Sequence, residues 1–143
     1  MRQSPLPDSA VPLLGWAFLS AIAVTTAAGF VVANGIESTM EDNTATLLTG
    51  VLILVAFTNL ITIRGVVLPS MAKRDDVNLS TIATVGYAFA ESPAIFGVVA
   101  AVTAGEGWRV LPFAVIALVG WGLVRGYLAN LQQVIAADEF PRL

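Results

Sequence analysis

The chain has 143 residues, of which 57% are hydrophobic and 12% charged, with a formal net charge of −3. Soluble domains carry about 25% charged residues, so this sequence has about half the usual means of wetting a surface. It contains neither cysteine nor histidine. That excludes a disulfide framework, thiolate zinc sites, a thiol nucleophile and histidine-based acid–base or triad chemistry. The acidic balance offers no field for nucleic acid.

In chain order, four apolar stretches reach the about 20 helical residues that cross a bilayer. The first, Val11–Ala33, carries no charge. Its apolar run exceeds the 7–15 residues of a signal-peptide core, and Met1–Asp8 is a weak n-region with one arginine and two prolines, so it reads as a retained membrane helix. The second, Thr46–Leu68, contains only Arg64. The third, Ser80–Ala104, contains only Glu91, near its centre. The fourth, Arg109–Leu131, has Arg109 at its edge and Arg125 toward the other end. Segments this apolar lack the polar faces of soluble helices. Trp16, Trp108 and Tyr127 are placed as interfacial anchors, whereas Trp121 is deeper and reads as packing. The expected fold is a single all-α integral membrane domain spanning residues 1–143.

The basic residues sort by side. With the N-terminus inside, Arg2, Arg64, Lys73, Arg74, Arg125 and Arg142 lie at cytoplasmic ends, and Arg109 alone lies outside. The first outer loop, Asn34–Ala45, holds Glu37, Glu41 and Asp42 and no base, while Pro69–Leu79 holds Lys73-Arg74 and Asp75-Asp76. Positive-inside sorting then predicts an N-in, C-in protein. The loop acids read as solvated.

A faint parallel repeat overlies this pattern. Gly15-Trp16-Ala17-Phe18 matches Gly86-Tyr87-Ala88-Phe89 at an offset of 71, and Ile63-Arg64-Gly65 matches Val124-Arg125-Gly126 at an offset of 61. The longer first outer loop accounts for the difference. Two duplicated helical hairpins are therefore expected, a known membrane architecture.

Glu91 is the one acid placed at mid-membrane. A carboxylate there costs on the order of 3 kcal/mol by insertion scales, so it is expected to be protonated or paired. Candidate partners are Thr58, Asn59 and Thr62 on the second helix, Ser20 on the first, and Arg64 or Arg125 by snorkelling. Pro93 lacks an N–H, so the Phe89 carbonyl loses its helical donor and a kink is expected there. Ser92 can help satisfy that carbonyl, and Tyr87 lies one turn from Glu91. These residues form a small polar niche able to hold a proton or cation. Beside it, Ala83, Gly86, Ala90, Ala94, Gly97, Ala101 and Ala104 make a stripe of small residues at spacings of three and four, suited to close helix packing. Gly122 and Gly126 stand in GxxxG spacing on the fourth helix, and packing inside the bundle is expected of them. No metal cluster or cofactor signature is visible.

The run Ala90-Glu91-Ser92-Pro93-Ala94-Ile95-Phe96-Gly97 resembles the acidic helix of the rotary ATPase c subunit, or proteolipid, over about twenty residues. The chain as a whole looks most like the uncharacterised bacterial four-helix membrane proteins that share this helix. The resemblance implies that Glu91 matches the carboxyl that binds the transported proton or sodium ion. The second helix has only Gly50 and Gly65 where the c family is glycine-rich, and the acidic helix opens a hairpin instead of closing one. The expected role is therefore a non-rotary, non-enzymatic subunit with membrane-protein partners or further copies of itself. The alternative is a structural accessory or assembly subunit in which Glu91 binds no ion.

Overall fold

A computed structural model of the chain describes residues 10–74 and 77–139, with side chains described through residue 135. The expectations for Met1–Asp8, for Asp75-Asp76 and for Arg142 lie outside the described residues. Among the described residues the regular structure is all helical: α1 (Ala10–Asn34), α2 (Asp42–Ala72), α3 (Leu79–Ala104) and α4 (Leu111–Glu139), the last preceded by a 3-10 turn, Gly107–Val110. Four helices are long and apolar enough to cross a membrane. At about 1.5 Å of rise per residue, the 25 residues of α1 exceed a hydrocarbon core of about 30 Å.

Two boundaries run past those read from the sequence. α2 continues through Pro69 to Ala72 because a π turn, Ile63–Val67, widens the helix just ahead of the proline. An α-turn would press the Pro69 ring on the carbonyl four residues back, and the wider turn relieves that contact. α4 continues beyond Leu131 to Glu139. The proline in α3 does not interrupt it, and Leu79–Ala104 is one α-helix through Pro93.

α3 is the centre of the bundle and packs against α1, α4 and α2. All seven small stripe residues of α3 are buried. A Cβ on Gly97 would come within 2.7 Å of Phe113, and one on Gly86 within 2.8 Å of Val124. Both positions let the α4 backbone approach more closely than any side chain would allow. On the opposite flank, α1 runs parallel to α3: Gly15 faces Tyr87, Ile22 packs with Ala94, and Ala33 with Ala101. In the spanning windows 44% of α3 and of α4 is buried, against 17% of α1 and 22% of α2. The inner pair therefore carries the core.

The hairpin expected of the first two helices is open. α1 and α2 follow one another in the chain, yet α1 packs on α3 and α4, and α2 packs on α3 with a smaller contact to α4. The reason is surface shape. The small stripe of α3 offers close approach to partners on several sides, and the bulky side of α2, with Leu47, Leu54 and Phe57 exposed, offers α1 none.

Chain ends and caps fix where the helices stop. Asn78 caps α3, its Oδ1 accepting from the Thr81 N–H at 2.8 Å. At the other end Gly105 takes φ 67°, Glu106 N–H donates to the Ala101 carbonyl at 3.1 Å, and Gly105 N–H donates to the Val102 carbonyl at 3.3 Å. This is the Schellman closure that favours glycine. A Cβ on Gly105 would also sit 2.8 Å from Ser38 N, so the first connecting loop lies against this turn.

Candidate functional site

Pro93 places the first polar group. Without an N–H at residue 93, the Phe89 carbonyl has no helical donor. Ser92 Oγ donates to it at 2.8 Å and Asn59 Nδ2 of α2 donates to it at 3.3 Å. Asn59 also donates to Ser92 Oγ, closing a three-membered network. The freed carbonyl is thus satisfied twice, as an apolar surrounding requires.

This network forms the floor of a groove of about 720 Å³ between α2 and α3. Leu54, Val55 and Phe96 wall it, and Thr62 stands beside Asn59 on its floor. Glu91 does not line it. Successive helical residues are about 100° apart, so a side chain at 91 projects well round the helix from those at 89 and 92. Glu91 belongs instead to the row that faces α1, between Tyr87, which stacks on Phe18, and Ala94, which packs with Ile22. It is half-buried and makes no side-chain hydrogen bond or ion pair among the described residues. Its proposed sequence partners are committed elsewhere: Asn59 to Phe89 and Ser92, Ser20 to the Trp16 carbonyl at 3.0 Å, and Thr58 to the Leu54 carbonyl at 2.9 Å. The niche read from the sequence is therefore split. Asn59, Thr62 and Ser92 belong to the α2 side of α3, Glu91 and Tyr87 to the α1 side, and Pro93 is buried in the bundle.

The packing glycines also divide. Gly86, Ala90, Ala94 and Gly97 are buried. Gly122 and Gly126 are exposed, with no atom within 4 Å of a Cβ built on either, which corrects the expectation that they pack inside the bundle. The buried face of α4 runs through Phe113, Ile116, Ala117, Gly120, Val124 and Leu128, and residues 122 and 126 point away from it. The glycine that α4 does use is Gly120, where a Cβ would lie 2.6 Å from Leu60 and 3.3 Å from Ala90.

The buried charge among the described residues is Arg109, 6% exposed. Its Nε donates to Glu106 Oε2 at 2.6 Å, its Nη1 donates to Thr49 Oγ1 at 3.2 Å, and its guanidinium lies 5.3 Å from the Trp108 ring centroid. Gly107 N–H donates to Asn34 Oδ1 at 3.0 Å, and Thr39 N–H donates to the Thr103 carbonyl at 3.3 Å. All four helices are knotted at this end. The sequence sets Arg109 apart as the single base on the acid-lined side and carries no sign of its burial.

At the opposite end Trp121 donates its indole N–H to the Gly15 carbonyl at 2.7 Å, joining α4 to α1. No group of three or more acidic side chains that could hold a metal ion occurs among the described residues. Comparison with family models, with curated proteins and with solved structures finds no match to this chain.

Proposed function

We propose that this chain is an integral membrane protein, N-in and C-in, acting as a non-rotary subunit of a membrane assembly in which the Glu91 carboxyl binds a proton. The observation that carries the reading is the half-buried Glu91 in the middle of an apolar helix, without a side-chain partner among the described residues. Ionised, it would cost on the order of 3 kcal/mol in the hydrocarbon, and a proton removes that cost without any further ligand. A metal cation would need several oxygens, and Asn59 and Ser92 serve Phe89 on another side of the helix. The inward orientation rests on Arg64, Lys73, Arg74 and Arg125 gathering toward one end, and the bacterial cytoplasmic membrane rests on the resemblance to bacterial four-helix proteins. The parallel course of α1 and α3, with exposed Arg64-Gly65 and Arg125-Gly126 at equivalent places, supports descent from a duplicated hairpin.

A second reading, a structural accessory subunit with no ion bound, draws on the open face of Gly122 and Gly126 and on the groove between α2 and α3, both shaped to receive a partner helix. Labelling of native membranes with dicyclohexylcarbodiimide separates the two. The first predicts Glu91 modification that vanishes in Glu91→Gln. An unlabelled Glu91 overturns it. Gentle-detergent pull-down tests both, since each requires a larger complex in fixed ratio, and a monodisperse single chain sinks both.

A further inference from the structure

At the Arg125 end, α1, α3 and α4 converge on a pocket of about 220 Å³ that neither the Glu91 reading nor the groove uses. Tyr87 is its buried polar residue, 2% exposed. Its ring stacks on Phe18 at 5.8 Å and lies 6.5 Å from Trp121. No side-chain hydrogen bond of its hydroxyl occurs among the described residues, and Tyr87 lines the pocket. Gly15 is what admits it, because a Cβ there would lie 2.9 Å from the phenol oxygen. An unpartnered phenol inside an apolar bundle forfeits a hydrogen bond unless the pocket is occupied.

The rest of the lining selects the occupant. Arg125 lies over the Trp121 ring at 5.2 Å and makes no ion pair among the described residues. The Trp121 N–H is taken by the Gly15 carbonyl, which also leaves that carbonyl satisfied. Gln132 stands at the rim and Trp16, 58% exposed, forms the outer wall. Among the described residues no carboxylate lines the pocket. A phenol O–H and a guanidinium, one buried and one exposed, are a donor pair for an anion, and the guanidinium fork suits phosphate oxygens.

We infer that this pocket binds the phosphate head group of an anionic membrane lipid. Its volume is below the about 300–1,000 Å³ of sites that enclose a whole small molecule, so it takes a head group whose chains lie outside. Tryptophan and arginine at the end of an apolar span mark the head-group level of a bilayer. The inference rests on the proposed membrane insertion and is independent of Glu91.

The test uses the full chain carrying Trp108→Phe, which leaves Trp16 and Trp121, both on the pocket, as fluorophores. The protein is reconstituted into mixed vesicles in which either phosphatidylglycerol or phosphatidylcholine carries brominated chains. Quenching is expected to report about a five-fold preference for phosphatidylglycerol, what one basic residue contributes at an anionic surface. Arg125→Gln should bring the preference to about one, and Tyr87→Phe, which keeps the stacked ring, should lower it. Equal quenching by both lipids in the parent protein, or an unchanged preference in both variants, overturns the inference. No quenching by either lipid would overturn membrane insertion itself. A saturable response of the delipidated protein in detergent to inorganic phosphate alone would reassign the site to a soluble ion and overturn the lipid assignment.

Discussion

Asn59 of α2 donates its amide to the Phe89 carbonyl of α3 at 3.3 Å, the carbonyl that Pro93 leaves without a helical donor. A backbone defect in one helix thereby becomes the polar link to its neighbour, since an unsatisfied carbonyl in an apolar medium costs more than the amide loses by turning inward.

Asn59→Leu is expected to destabilise the bundle by about 1 kcal/mol, within the range of inter-helix hydrogen bonds in membranes. In a Pro93→Ala background the residue-93 N–H returns to Phe89, so the same substitution should cost less. Denaturant unfolding of the four proteins of this cycle in micelles measures the coupling, and a coupling of zero would refute the support of Phe89 by Asn59.

Arg109 behaves as a buried cation with one ionic partner. Arg109→Ala should destabilise by about 3 kcal/mol, because Glu106, Thr49 and the Trp108 face lose their common contact. Glu106→Gln should cost about 1 kcal/mol, since its side chain is 40% exposed and water replaces part of the interaction. Thermal unfolding in detergent ranks the two, and equal losses would show that exposure does not weaken the pair.

Glycine substitutions should split by face. Gly97→Leu has to displace Phe113 and Val110 and is expected to destabilise by about 3 kcal/mol or prevent folding. Gly122→Leu and Gly126→Leu meet open space and should leave the isolated chain within about 0.5 kcal/mol of the parent. If a partner helix seats on that face, the same two substitutions will reduce recovery of the larger complex in a pull-down while leaving the monomer's unfolding unchanged.

Because the chain has no native cysteine, single introduced cysteines report orientation directly. Glu37→Cys, in the exposed connection between α1 and α2, should react with a membrane-impermeant maleimide in intact cells. Ser70→Cys, exposed near the end of α2, should react only after lysis. The reverse pattern would invert the proposed topology.

Several features of this protein were legible from the chain alone because they are local. Four runs of about twenty apolar residues define four helices, a missing N–H at Pro93 defines the carbonyl it orphans, and the spacing of Gly86, Ala90, Ala94 and Gly97 defines one face. Such properties depend on neighbours within a turn or two. The identity of the helix that meets each face is not local, so tertiary structure decided that α1 lies on α3 and α4 and hardly touches α2. It decided as well that Asn59 serves Phe89 while Glu91 looks toward α1, and that Gly120, four residues before Val124, is the packing glycine of α4 while Gly122 is bare. Arg109 shows the limit most directly. Its sign and side were readable from composition and loop charge, which placed it as an outlier among the bases. Its burial came only when Thr49, Glu106 and Trp108, brought together from the start of α2 and the turn before α4, closed around it and replaced the water its charge requires.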